Sequence, residues 1–582
     1  MSIAVENSLT GRRWVGLGTD TVRAAEALAQ QTGLSLPLSR ILARRGVAAD
    51  ESTSFLAPSL RDLMPDPRSM LDMEKAAARF LAAVKANQKI AIFADYDVDG
   101  GSSAALLVWW LRDFGIQATV YVPDRIDEGY GPNDAAMAEL AAANDLVICV
   151  DCGTLSHGPI QAAKGADVIV LDHHLGGETL PDALAIVNPN RQDETGDLAH
   201  LCAAAVVFLM LVEANRQRRV LGEKSPDLMA LLDLVALATV ADVAPLIGVN
   251  RAFVRQGLKI MAARQRPGLV ALADVARMDS APTSYHLGFL LGPRVNAGGR
   301  IGAADLGARL LSTDNPHEAD AMAERLDQLN SERRAIENQV REGALEQAQS
   351  RDLAAPLIWA ADDGWHPGVV GIVASRLKES TNRPSVVIGF EGDEGKGSGR
   401  SVSGVDLGAS IQKLVAEGLL TKGGGHKMAA GLSLTRAQLE PAMERLGELL
   451  AKQGAGELGP RDLHYDSILM PTAATTDLIE QIENAGPFGA SAAAPRFVFP
   501  DQRITFAKPV GESHLRFSFG DETGTRLDGI AFGAFDSEIG NSLQNAGHNL
   551  FHLAGRLELN TWGGRQKVQL RLEDAAPADK KL

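Results

Sequence analysis

The chain reads as a multidomain α/β protein ending in a small all-β module, and three observations carry that reading. Three short apolar runs, KIAIFADYDVDG from Lys89, DLVICVDCG from Asp145 and DVIVLDHH from Asp167, each stop at acidic residues. Ala/Leu-rich helical stretches such as SSAALLVWWLRDFG lie between them, and strands alternating with helices specify a parallel sheet. Residues Glu318 to Arg351 carry the mixed charges of a long helix. From Leu463 to Asp574 the chain becomes alternating apolar and polar strands with turns every ~8–12 residues.

In chain order, residues 1–75 read as a helical lead-in: TVRAAEALAQQTG and SRILARRG have helical spacing, and PSLRDLMPDP is a Pro-broken linker. Residues 76–315 take the parallel α/β domain, which closes with the helical region around DLMALLDLVALATVADVAPL. The segment 316–352 is expected to be a solvent-exposed connector helix. Residues 353–460 form a second, smaller α/β block containing APLIWAADDGW, RPSVVIGFEG and the glycine-rich GKGSGRSVSG and KGGGHKMAAG. Residues 461–576 hold five strands (RITFAKPV, HLRFSFGD, TRLDGIAFG, NLFHLAGRLELN and RQKVQLRLED), compatible with an OB-like β-barrel.

Composition narrows the function classes. With 57 Lys+Arg against 73 Asp+Glu the net charge is −16, so no general attraction to nucleic acid or anionic membrane is expected, and any phosphate site must be local. Three cysteines, Cys149, Cys152 and Cys202, exclude a disulfide framework and suit a reducing cytoplasm. The longest apolar run, Leu201 to Val212, is too short to cross a bilayer, and MSIAVENSLTGRRW lacks a signal peptide's apolar core. There is no GxxxxGK[ST] motif, and the CxxC pair lies within a strand run, against zinc or redox chemistry.

The chemistry gathers where strands end. Parallel sheets bind ligands beyond the carboxyl ends of their strands, which is where Asp95, Asp97 and Asp99, then Asp151, then Asp172-His173-His174 fall. A lone DxD is as readily a solvated turn; clusters at successive strand ends point instead to one cleft. Asp242 adds an acid in an apolar setting, where an unpaired charge is costly. Crowded carboxylates need cations or protons to coexist. Carboxylates with imidazole favour Mn²⁺ or Mg²⁺, and two ions ~3.5–4 Å apart sharing an Asp are the arrangement of phosphoryl hydrolysis.

These residues resemble the DHH phosphoesterase superfamily: DYDVDG (95–100), VDCG (150–153), Asp172-His173-His174 and VADVAPL (240–246) match its motifs in order. GGGHKMAAG (423–431) is similar to the GGGH motif of the DHHA1 domain. LGPRVNAGGRIG (291–302) and the five-stranded end resemble the superfamily's single-strand-specific 5′→3′ DNA exonucleases, which act in repair and recombination. The resemblance implies a parallel-sheet DHH domain, a DHHA1 domain joined by a long helix, and a C-terminal OB-like barrel. It implies Asp97, Asp99, Asp151, His173 and Asp242 as ligands of two Mn²⁺ or Mg²⁺ ions, with Asp151 shared. It places Asp95, His174 and His426 in the catalytic cleft, and Arg125, Arg294, Asn296, Arg300, Arg400 and Ser401 against the substrate. Related pyrophosphatases have a His where this chain has Phe93, so Asp95 stands as a partial substitute. The barrel would hold single-stranded DNA through groups such as His514, Arg516, Phe517, Trp562 and Arg565. The resemblance also brings a RecQ-type helicase and a single-strand-binding protein as partners, with no membrane. One departure precedes the barrel, where PFGASAAAPRF (487–497) is Ala-rich in place of a Gly-Asn-Pro-type turn. Two rivals stand beside this reading: a phosphodiesterase of short oligonucleotides or cyclic dinucleotides, and an inactive single-strand-binding scaffold.

Overall fold

The computed structural model describes residues 3–124, 128–129, 131–353, 355–456, 462–521, 524–562 and 565–578. Its contacts divide the chain into two units, Met1–Met64 with Pro245–Arg255 and Pro460–Leu582, and Pro65–Ala244 with Gln256–Gly459.

The larger unit is built on a five-stranded, all-parallel sheet. The strand order is Thr119–Tyr121, Ile90–Ala94, Leu146–Val150, Asp167–Leu171, Ala185–Val187. Every residue of Ile90–Ala94 and Leu146–Val150 is buried, which is why these strands are unbroken apolar runs rather than alternating ones. From Ile90–Ala94 the chain steps outward to Thr119–Tyr121 and then crosses back to Leu146–Val150 on the other side. Strand order reverses there, which opens a crevice beyond the ends of those two strands.

The helix Pro316–Gln349 follows, 34 residues long, or about 50 Å at ~1.5 Å per residue. It is less exposed than its composition suggests. Small and apolar residues at helical spacing, among them Ala319, Met322, Ala323, Leu326 and Leu329, form a buried stripe. Val340, Ala344 and Ala348 enter a core with Ile358, Val369 and Val373. The second sheet runs Lys422–His426, Ala429–Thr435, Glu394–Arg400, Ser385–Glu391, Ile358–Asp363, parallel only in its last pair.

In the smaller unit, strands Phe497–Val510, His514–Gly520, Arg526–Ala531, Arg565–Pro577 and Leu550–Trp562 pair in sequence, and the last pairs back with the first to close a five-stranded barrel. Closure leaves no free edge among these strands. The N-terminal helices belong to this unit: Leu28, Leu38, Ile41 and Leu42 share one core with Phe497, Phe499 and Phe519. Trp14–Val15 pairs in parallel with Leu463–His464, and the Trp14 indole donates to Asp574 Oδ2 at 2.9 Å. Phe517, expected as a strand contact, is instead 0% exposed in that core; strand alternation turns it inward and leaves Arg516 outside. The side chains of Trp562 and Arg565 lie outside the described residues. Among the described residues, no helix is long and apolar enough to cross a membrane.

Candidate metal centre

The three sequence clusters meet in the crevice of the parallel sheet. Asp95 follows the Ile90–Ala94 strand, and Asp97 caps the helix Val98–Arg112, accepting from the backbone N–H groups of Asp99 (2.9 Å) and Gly100 (3.1 Å). Only glycine fits at position 100, since a Cβ there would lie 2.4 Å from the Asp95 carbonyl oxygen. Asp99 is 1% exposed and accepts from Ala203 N–H (2.7 Å) and Ala204 N–H (2.8 Å) at the start of the helix Ala203–Val220. Such a helix N-terminus favours a carboxylate.

Asp151 ends the next strand with φ of 60°, a left-handed conformation that a non-glycine residue adopts only under constraint. Its buried Oδ1 has no hydrogen-bond partner. His173 Nε2 lies 3.3 Å from that oxygen, 3.7 Å from Asp99 Oδ2 and 3.9 Å from Asp242 Oδ2. Three groups offer ligand atoms within 4.8 Å of one another: Asp151 with His173 and His174, Asp99 with His173 and Asp242, and Asp95 with Asp97 and Asp151. Asp151 and His173 each belong to two groups. An orphaned buried carboxylate oxygen inside overlapping oxygen- and imidazole-rich sets fits hard or borderline divalent ions.

The electrostatics agree. Burial raises the pKa of Asp99, with Asp97 adding to the rise and His173 opposing it. Burial, then repulsion from Asp99, Asp97, Asp95 and Asp242, pushes Asp151 well above the carboxylate range. Asp242, at the end of the helix Leu232–Ala241, is raised to about 9 by burial and by Asp99 and Asp97. These acids cannot all be ionised without added positive charge.

Around them lies a supporting network that motif spacing does not reveal. Asp172 accepts from Thr154 Oγ1 (2.7 Å), from the backbone N–H groups of Thr154, His173 and His174, and contacts His174 Nδ1 at 2.8 Å. Burial pulls His174 down, yet the hydrogen bond and charge of Asp172 outweigh it and raise His174 to about 9. Asn188 Nδ2 donates to Thr154 Oγ1 and the His174 carbonyl, both at 2.8 Å, and Asn190 Nδ2 donates to the His173 carbonyl at 2.6 Å. The signal for these asparagines was their position: Asn188 directly follows the strand Ala185–Val187, at the same end of the sheet.

The remaining sequence candidates separate. Arg294 is buried and paired with Asp327 on the long helix at 2.8 Å, with Nη1 on the Leu290 carbonyl, so it braces helices. Asn296 Oδ1 accepts from Val98 N–H at 2.9 Å and steadies the Asp97–Asp99 turn. Ser401 is 1% exposed and donates to the Val405 carbonyl, which removes it from any open groove. Ser398, Lys396, Lys422 and Arg300 instead line a cavity of about 310 Å³. Strand alternation puts residues 396, 398 and 400 on one face, and Arg400 Nη1 donates to Ser398 Oγ at 2.8 Å. Across that face Gly424 and Gly431 have open space above them. His426 stands exposed at the end of the same sheet, its Nδ1 accepting from Met428 N–H. Arg125 lies outside the described residues. The segment His286–Leu291, a π-helix, packs on the helix that ends at Asp242; Tyr285, just before it, stacks on Phe289 within it, both exposed, with ring centroids 5.2 Å apart.

Residues 89–239 match the DHH family N-terminal domain, 353–452 the DHHA1 domain and 465–574 the RecJ OB domain. The chain is 37% identical over 569 residues to "Single-stranded-DNA-specific exonuclease RecJ" of Dickeya dadantii (strain 3937), covering 93% of this chain and 96% of the relative. It is 36% identical over 560 residues to the Escherichia coli (strain K12) protein of the same name, with the same coverage. The crystal structure of RecJ in complex with Mn²⁺ from Thermus thermophilus superposes with a TM-score of 0.80 at 29% identity, covering 97% of this chain and 79% of that one. The Mg²⁺ complex of that protein matches with a TM-score of 0.73.

Proposed function

This chain belongs to the RecJ family, and from that premise we propose that it is a single-stranded-DNA-specific exonuclease that hydrolyses phosphodiester bonds from the 5′ end and releases mononucleotides, in DNA repair and recombination. The observation that carries the chemistry is the orphaned oxygen of Asp151, a residue shared between two ligand groups. Asp97, Asp99, Asp151, His173 and Asp242 would hold two Mn²⁺ or Mg²⁺ ions, with Asp95 and His174 beside them. When bound, such ions activate water and neutralise charge developing on the phosphate.

The chain's own residues do the rest. Asp172 holds His174 through Nδ1 and so sets the orientation of its ring beside Asp151. Asn188 and Asn190 hold the backbone of the His pair. Arg300, Lys396, Ser398 and Lys422 supply donors for phosphate oxygens, while the bare surfaces of Gly424 and Gly431 let a strand lie close to the sheet. Tyr285 and Phe289 offer a stacking platform that only unpaired bases can use. Removing either ring is expected to cost about 1–3 kcal/mol of strand binding, read as a raised KM with kcat little changed.

A RecQ-type helicase and a single-strand-binding protein are partners of this reading, and its compartment is the cytoplasm. The direct test is incubation with Mn²⁺ and end-labelled single strand, duplex and dinucleotide. Mononucleotides released from the 5′ end of the single strand alone are expected. Cleavage confined to the dinucleotide would replace this reading with a small-substrate phosphodiesterase, and binding without cleavage with a scaffold.

A further inference from the structure

A second cavity, of about 540 Å³, lies wholly within the barrel unit. Its walls come from the N-terminal helices (Arg45, Phe55), the segment Pro245–Arg255 (Leu246, Arg251) and the Ala-rich stretch before the barrel (Ala493, Ala494). That stretch is where the sequence departs from the family's turn, and its small side chains leave the space open.

The walls carry positive charge that the fold leaves uncompensated. Arg251 is 4% exposed and stacks on Phe55 at 3.9 Å. Its Nη2 donates to the carbonyls of Phe55, Ala485 and Gly486, while its Nε and Nη1 have no hydrogen-bond partner. Arg45 donates to the carbonyls of Ala485 and Ala493, both at 2.9 Å, and lies over Phe488. The neighbouring Arg255 likewise donates only to carbonyls, those of Leu56 and Asn484. Among the described residues, no carboxylate comes within ion-pair distance of these three guanidinium groups. Arg44 pairs with Asp466 at 3.2 Å, Arg496 and Arg556 share Glu573 at 2.5 Å each, and Glu51 also lines the cavity, so these three arginines and three acids balance. Apart from that of Ala493, the carbonyls that Arg45, Arg251 and Arg255 touch belong to two helix ends, which supply at most about half a negative charge each. Roughly two positive charges therefore remain in a chain whose net charge is −16. Desolvation, then repulsion from Arg45 and Arg255, lowers Arg251 to about 10. Partly buried charge without a counterion is costly, and a ligand dianion would supply the missing partner.

We propose that this cavity binds a phosphate monoester bearing an apolar or planar body, with a nucleoside monophosphate as its type. A phosphate monoester carries about −1.5 to −2 charges at neutral pH, matching the excess. Guanidinium planes held on Phe55 and Phe488 offer flat surfaces to a ring, beside the apolar Leu246 and Pro58. The volume falls in the ~300–1,000 Å³ range of small-molecule sites. The site is separate from the acid cluster of the other unit and does not rest on the exonuclease reading.

The test is calorimetric titration of the full-length protein in EDTA, which scores binding without hydrolysis, using thymidine monophosphate, inorganic phosphate and thymidine. Thymidine monophosphate is expected to bind at least tenfold more tightly than either of the others. Arg251→Met should weaken it tenfold or more. Because Arg251 also joins three carbonyls, Ala493→Glu is the second variant: position 493 is exposed, and its new carboxylate would reach Arg45, exclude the phosphate and raise the melting temperature. Binding unchanged in Ala493→Glu would overturn the site. Inorganic phosphate binding as tightly as the nucleotide would overturn the apolar or planar body.

Discussion

Beyond the ends of the parallel strands, Asp99 and Asp151 are buried, and among the described residues the cationic groups within ion-pair distance of them are the imidazoles of His173 and His174. On the second sheet of the same unit, Lys396 and Lys422 stand exposed beside glycines that leave open space. The first arrangement stores repulsion that protons or an added cation relieve; the second offers cations to an added anion. Charge burial separates chemistry from grip. Changes in the first region should act on turnover and metal affinity, and changes in the second on substrate affinity and its salt dependence.

Asp151→Asn tests the division hardest. It keeps the shape of the side chain and removes the carboxylate charge of a residue shared by two ligand groups. Losing several kcal/mol of electrostatic stabilisation corresponds to roughly 1,000-fold or more in rate, so cleavage in Mn²⁺ should fall by at least that much. Binding of a single strand, measured by anisotropy, should change only a few-fold. A large binding defect would mean that the acid cluster also grips the strand and the division is false.

Asn188→Ala probes the same region one layer out. Its two hydrogen bonds hold Thr154 and the His174 backbone, and removing such support typically costs about 10–100-fold in metal affinity or activity. The loss should shrink as the Mn²⁺ concentration rises. A defect insensitive to metal concentration would assign Asn188 to folding alone.

The double variant Lys396→Ala, Lys422→Ala probes the other sheet. KM should rise about tenfold while kcat holds, and the slope of log affinity against log salt should shrink by about 1.4, at ~0.7 per lost single-strand phosphate contact. An unchanged salt slope would remove these lysines from the strand's path.

The two regions were not equally legible in the sequence. In a parallel sheet the strand direction fixes which end carries the ligands, so the Asp95–Asp99, Asp151 and Asp172–His174 clusters could be grouped from strand ends alone; Asp242, at a helix end, joined them through the family resemblance, and the structure brings it beside Asp99 and His173. On the glycine-rich sheet the relevant rule is alternation, and it moves attention from buried Ser401 to Ser398 beside Arg400. The same rule sends Phe517 into the barrel core. What local pattern could not give is partnership across the chain: Arg294 meets Asp327, and the N-terminal Trp14 meets Asp574, through tertiary packing that leaves no local signature. The segment 316–352 misled for a related reason, since a stripe of alanines among charges reads as solvent-facing until a partner covers it.

The smallest effect tests whether the acid cluster holds protons when it holds no metal. Asp242 has a folded-state pKa of about 9, far above its unfolded value, because burial and its acidic neighbours disfavour its charge. A group raised in this direction stabilises the metal-free fold fully below its unfolded pKa, and that contribution fades as pH climbs toward 9. Asp99 and Asp151 shift in the same direction. Divalent ions compete with those protons, so Mn²⁺ binding should release protons and gain strength as pH rises. The increase in melting temperature produced by a fixed Mn²⁺ concentration should therefore be a few degrees larger at pH 8 than at pH 6. Melting curves with and without Mn²⁺ at the two pH values, paired with chelated controls, measure it. Equal increments would mean that the carboxylates are already ionised without metal, and the stored repulsion that sets this sheet apart from the glycine-rich one would not exist.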